Sequence, residues 1–150
     1  MDEVDRKILR VLMIEPDMPI MKLAERVNLS HTPCWRRVKR MEEDGVILGR
    51  ALLVDAAAVG LGISVFAQIK LKVQDEYTLE SFEATARNCA SIVECFSMSG
   101  ESDYLLRIVT GSISEYEQFL KRVLLHMPGV ASVNSSFALK QIKASLALPL

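Results

Sequence analysis

The sequence predicts an α+β chain: an N-terminal helix-turn-helix of three short helices, then a C-terminal ferredoxin-like βαββαβ sandwich. Three observations predict it. A tight Asn28-to-Pro33 turn separates the second and third helical patterns, the third pattern is basic, and the later elements run strand–helix–strand–strand–helix–strand.

The first helix is expected from about Asp2 to Ile14, because Val4, Ile8, Val11 and Leu12 recur at helical spacing. Asp2 and Asp5 suit the positive end of its dipole. Pro16 and the Asp17-Met18-Pro19 cluster end it. A second helix, about Ile20 to Val27, turns Leu23, Ala24 and Val27 inward. Asn28 tolerates the left-handed conformation that closes helices. The third helix runs to about Asp44, with Ser30 or Thr32 as cap, Pro33 in its first turn and Gly45 as its stop.

Val46 to Val54 reads as a strand and Ala56 to Gly62 as a small-residue linker. From Ile63 to Val73 the odd positions are apolar, whereas Ser64, Gln68, Lys70 and Lys72 are polar, the pattern of a half-buried strand. A helix from about Thr78 to Ala90 carries Leu79, Phe82, Ala86 and Cys89 on one stripe. Strands follow at Ile92–Ser99 and Tyr104–Thr110, joined by the turn Gly100-Glu101-Ser102-Asp103. A helix from about Ser114 to Met127 is broken by Pro128-Gly129, and Val130 to Lys143 reads as a long last strand. Such a sheet carries both helices on one face, and a symmetric partner is the expected cover for the other. The expected domains are residues 1–45, a strand and hinge at 46–62, and residues 63–150.

A chain of 150 residues, half of them hydrophobic, can fill two modest cores. The net charge of −1 hides an uneven distribution: residues 31–40 hold Arg36, Arg37, Lys39 and Arg40 and no acid. That local +4 can meet phosphate although the whole chain is near neutral. Cys34, Cys89 and Cys95 are odd in number and lack ligand spacing, which argues against a disulfide framework and a structural zinc. The charged, amphipathic start is unlike a signal peptide, and no apolar run approaches the roughly 20 residues that span a bilayer. A cytoplasmic location without membrane contact is expected.

On a helical wheel, Cys34, Val38 and Met41 share the packed side of the third helix. Thr32, Arg36, Lys39 and Arg40 point outward, Trp35 lies to one flank, and Arg37 sits near the edge of the packed face. A helix packed on one side and basic on the other fits the major groove, and the arginine fork binds guanine or phosphate in a bidentate way. Double-stranded DNA is therefore the expected partner, contacted by Ser30, His31, Thr32, Trp35, Arg36, Arg37, Lys39 and Arg40. Lys22 and Arg26 are candidates for added backbone contacts.

The runs Asp2-Glu3-Val4-Asp5-Arg6-Lys7-Ile8-Leu9, LAERVNLSHTPCWRRVKRMEEDGVI, SGESDYLLR and SSFALKQIK…LPL resemble the Lrp/AsnC family, the feast/famine regulators related to the leucine-responsive regulatory protein. The resemblance covers essentially the whole chain. It implies a winged-type helix-turn-helix, a strand-bearing hinge and an RAM or ACT-like sandwich. It also implies homodimers that assemble into octamers, with a small effector, usually an amino acid, bound at contacts between dimers. The family's effector positions map onto Gly100, Glu101, Ser102, Asp103, Tyr104, Ile113, Ser136, Phe137 and Ala138. An amino-acid ligand needs donors for its carboxylate, which N–H groups near a Gly turn supply, and an acceptor for its ammonium, a role Asp103 suits. Asn28 departs from the Gly that many members carry.

The expected function is thus a sequence-specific DNA-binding transcription regulator modulated by an amino acid. One alternative is an architectural DNA-binding protein that ignores ligands. A ligand-binding metabolic subunit or enzyme is opposed by His31 and His126 lying in different domains and by the lack of a phosphate loop or catalytic triad. No cofactor or metal is expected. Cys34 on the third helix raises a thiol-sensing variant, which its place on the packed face opposes.

Overall fold

The computed structural model of the protein describes residues 1–150, which divide into two compact units. The first comprises Met1–Leu53 with Ile142–Leu150, and the second Val54–Gln141. The last nine residues, expected with the sandwich, therefore lie with the helices.

In the first unit, α1 (Glu3–Ile14), α2 (Ile20–Arg26) and α3 (His31–Glu43) enclose a core of Ile8, Leu23, Ala24, Val27, Cys34, Val38 and Met41. The start of α1 is a capping box: Asp2 accepts from the Asp5 N–H at 2.9 Å, and Asp5 accepts from the Asp2 N–H at 3.0 Å. α2 closes as expected at Asn28 (φ 56°), with the Asn28 N–H on the Glu25 carbonyl and the Leu29 N–H on the Ala24 carbonyl. That bond pair is a Schellman closure, and Gly45 (φ 70°) repeats it at the end of α3. The tail packs on this unit. Arg10 Nε donates to the Leu150 main-chain oxygen at 2.8 Å, and the Leu148 N–H donates to Met13 Sδ at 3.3 Å.

In the second unit, β1 (Ile63–Leu71), β2 (Ile92–Ser97), β3 (Tyr104–Thr110) and β4 (Val130–Phe137) form one antiparallel sheet in the order β2-β3-β1-β4. α4 (Glu76–Asn88) and α5 (Ile113–Arg122) supply Phe82, Ala86 and Tyr116 to the core on one face. β1 and β3 are central, so their buried positions alternate as the sequence pattern requires: Val65, Ala67, Ile69 and Leu71 face Tyr104, Leu106 and Ile108 as core neighbours. The opposite face carries Phe66 and Phe96, both substantially exposed, and the Arg107–Glu94 ion pair at 2.5 Å.

Several expectations change. No strand forms between Val46 and Val54, because the chain offers no neighbour for its N–H and C=O groups. Leu48 there is 94 % exposed and Leu52 88 %. β4 stops at Phe137 rather than Lys143, since β1, its only ladder partner, runs out at that end. β1 ends at Leu71, where a register irregularity meets Val130. α4 begins two residues early, at Glu76, because Asp75 caps it through the Thr78 N–H. α5 ends at Arg122, and Leu124–His126 tightens into a single 3-10 turn.

Candidate nucleic-acid interface and effector site

α3 is anchored by Cys34, Val38 and Met41, all buried, so the remainder of its surface is presented outward. Ser30, His31, Thr32, Trp35, Arg36, Lys39 and Arg40 are exposed, with Trp35 at 46 %. Ser30 occupies the cap position, yet its hydroxyl makes no capping bond and is free for other acceptors or donors. Thr32 lies inside the first turn and is not the cap.

The four bases of α3 are not equivalent. Arg37 Nη1 bonds Asp5 Oδ1 at 2.8 Å and Asp2 Oδ2 at 2.7 Å. Arg40 Nη2 bonds Asp5 Oδ2 at 2.7 Å. Arg37, expected near the edge of the packed face, and Arg40, expected to point outward, are both tied to α1 by these pairs. Lys39 makes a longer pair with Glu42 at 3.3 Å, and Arg36 has no ion-pair partner. Of the second-helix candidates, Arg26 pairs with Glu15.

Asp5 is the residue that sequence reasoning undervalued. Its side chain is only 1 % exposed. Burial by itself would raise its carboxyl, but the Asp2 N–H, the Arg37 guanidinium and the Arg40 charge outweigh that and hold it below the usual carboxylate range. The Asp5 N–H and Arg37 hold Asp2 down at about 2. The Asp2/Asp5 spacing signals a capping box in the sequence; its pairing with α3, more than 30 residues on, has no local signature.

The nine effector candidates do not gather in one place. Asp103 N–H donates to the Ile69 carbonyl at 2.8 Å, whereas Ala138 N–H donates to the Ser64 carbonyl at 2.9 Å. Those acceptors are five residues apart on β1 (69 − 64), roughly 17 Å at strand rise. Gly100 to Tyr104 therefore occupy one end of the sheet, and Ile113 with Ser136, Phe137 and Ala138 the other. Gly100 takes φ 116°, which the turn requires of a residue without Cβ. Glu101, Ile113, Ser136, Phe137 and Ala138 are exposed.

Two candidates face inward. Tyr104 is buried, stacked on Phe82 with ring centroids 4.5 Å apart, and donates its hydroxyl to Glu83 at 2.8 Å. Burial and the adjoining Glu83 push its phenol well above the ordinary range. The Asp103 carboxylate, expected to await an ammonium group, is engaged: it accepts from the Leu71 N–H at 2.7 Å and from Gln74 Nε2 at 2.6 Å. It joins the ends of β1 and β3. A cleft of about 440 Å³ lies between α4 and β2, lined by Glu83, Arg87, Ile92, Glu94, Cys95 and, alone among the effector candidates, Tyr104.

Residues 64–148 match the family model of the Lrp/AsnC ligand binding domain, and residues 1–47 that of a winged helix-turn-helix DNA-binding domain. The chain belongs to the Lrp/AsnC family of DNA-binding transcription regulators. It is 37 % identical over 150 residues to the DNA-binding transcriptional activator DecR of Escherichia coli K12, covering all of this chain and 99 % of the relative. The Bkd operon transcriptional regulator of Pseudomonas aeruginosa is also 37 % identical, over 100 % of this chain and 98 % of its own. Among solved Lrp/AsnC-like structures, a Neisseria meningitidis transcriptional regulator in complex with L-Met superposes with a TM-score of 0.94 at 35 % identity, covering 99 % of this chain and 96 % of that one. An AsnC family regulator of Agrobacterium tumefaciens gives 0.94 at 41 % identity, with 99 % and 97 % covered.

Proposed function

We propose that this Lrp/AsnC regulator reads DNA with α3 and that an amino acid bound by its second unit modulates its oligomer or DNA affinity. The observation that carries the DNA half is the exposed Arg36 on a helix whose opposite side is locked into a core. Ser30, His31 and Thr32 stand at the same end as phosphate or base contacts, and Trp35 flanks them. Lys39 adds a phosphate contact, its long pair with Glu42 being easily exchanged.

The amino-acid class is supported by the L-Met complex of the Neisseria relative. The distance between the two groups of effector positions supports a site completed by a second copy of the chain, Gly100 to Asp103 coming from one and Ile113 with Ser136 to Ala138 from another. The exposed Phe66 and Phe96 on the helix-free face support pairing of two sheets back to back in a homodimer, with octamers built from dimers. A location in the cytoplasm follows from contact with DNA.

Two measurements test this reading. Arg36→Ala is expected to weaken binding to a duplex selected from a random pool by the wild-type protein, costing about 1–3 kcal/mol if it reads a base. Wild-type affinity from that variant at moderate salt removes α3 as the reader. A melting screen of the twenty amino acids is expected to find one that raises stability, by about 2.7 kcal/mol at 100 times its Kd. No shift with any of them, together with unchanged DNA affinity, leaves the ligand-independent architectural reading.

A further inference from the structure

We infer that Asp5, with Asp2 as the second anion, sets the specificity of the DNA-reading helix by withholding two of its four positive charges from the phosphate backbone. The inference rests on α3 being the reader.

Non-specific attraction to DNA comes almost entirely from side chains free to displace counterions, and each phosphate neutralised contributes about 0.9 to the slope of log affinity against log salt. A helix with four mobile bases would hold any duplex. Here each Asp5 oxygen takes one guanidinium, Oδ1 that of Arg37 and Oδ2 that of Arg40, while Oδ2 also accepts the Asp2 N–H. Asp2 adds a second anion to Arg37. The carboxylate that anchors this arrangement is shielded from water, whereas Glu42, the partner of Lys39, is only half-buried. Arg37, partly buried on two carboxylates, and Arg40, half-exposed but held to Asp5 through Nη2, therefore enter the encounter with DNA already paired. Arg36 alone among the arginines of α3 carries an uncommitted charge. Sequence discrimination then depends on the placement of a few side chains rather than on the gross charge of the helix.

Asp5 acts through Arg37 and Arg40, so it is a positioning residue, and because it also closes the α1 capping box each variant is checked for folding beside its DNA binding. Asp5→Asn keeps the shape of the side chain and an oxygen for the Asp2 N–H but removes the charge. The full-length variant is expected to bind a mixed-sequence duplex more tightly, by roughly tenfold at 0.1 M salt for one further phosphate neutralised, with a salt slope steeper by about 1. Its preference for the duplex selected by the wild-type protein is expected to fall correspondingly. Asp5→Glu, which restores the charge and suits the capping-box position, is expected to return the slope toward the wild-type value. A folded Asp5→Asn protein with unchanged slope and unchanged preference overturns the inference.

If Asp5→Asn proves unfolded by Trp35 emission and circular dichroism, two further variants decide the matter. Arg36→Gln is expected to lower the mixed-duplex slope by about one, and Arg40→Gln to leave it unchanged because that charge is already neutralised. Equal reductions overturn the withholding of Arg40. No reduction from Arg36→Gln, by contrast, counts against α3 as the reader and not against the pairing.

Discussion

Replacing Asp103 by Ala tests whether that carboxylate serves the fold before it serves any ligand. The side chain spans the ends of β1 and β3: it takes the Leu71 N–H at 2.7 Å and Gln74 Nε2 at 2.6 Å, while its own N–H holds the Ile69 carbonyl. The Leu71 N–H faces the β3 side, two residues past the last β1–β3 pair at Ile69 and Tyr104, so the Asp103 carboxylate supplies its acceptor. Truncation to Ala leaves that donor without a partner, a loss of about 1–3 kcal/mol for a buried group. Asp103 is half-buried and water can reach the vacated position, so the lower part of that range, about 1–2 kcal/mol, is expected. The exposed Gln74 bond adds little. For a unit of this size each kcal/mol moves the midpoint by about 4–8 °C, placing the Asp103→Ala transition roughly 4–16 °C below wild type. Ligand-free melting followed by circular dichroism measures it, with Asp103→Asn as control because one amide oxygen still accepts from Leu71. A ligand-free Asp103→Ala protein that melts within about 1 °C of wild type refutes the reasoning. In that case the carboxylate is free to serve as an ammonium acceptor.

Acid should loosen the first unit. The folded-state values of Asp2, at about 2, and of Asp5 are both depressed, so their contribution is complete above the unfolded value near 4 and is lost as pH falls through the folded values. Urea unfolding monitored at Trp35 should show stability dropping across that window, and Asp2→Asn should flatten the drop; an unaltered profile in that variant contradicts the linkage. Gly129→Ala should cost about 2–4 kcal/mol, because φ is +73° and a Cβ would sit 2.2 Å from Thr78 Cγ2, a strained backbone and a clash together. Equilibrium denaturation checks this, and a loss below about 1 kcal/mol would show that the Thr78 methyl and the turn yield freely. Cys34 is fully buried and its thiol is pushed up by burial, so native protein should leave it unlabelled by a thiol reagent at neutral pH. Rapid native-state labelling of Cys34 would instead revive oxidant control of α3.

The helices and central strands are legible in the sequence because their determinants are local. Apolar spacing set the inward faces of α1 and α3, Asn28 and Gly45 closed α2 and α3, and the alternation along β1 marked a strand with one wet face. The basic run of α3 was equally visible, as was the resemblance that led to the family. Only tertiary structure decided which of those charges are free. Asp5 and Arg40 are 35 positions apart, and no local pattern announces that a buried carboxylate will neutralise a base on another helix. Strand formation depends on a neighbour in the same way: the residues from Val46 to Val54 have strand-like composition, but hydrogen bonds need a second strand that this chain does not place beside them. The separation of Asp103 from Ala138, and the engagement of the Asp103 carboxylate with Leu71, are likewise products of sheet register. Propensity and periodicity act over a few residues, whereas register and ion pairing are settled only when distant segments meet.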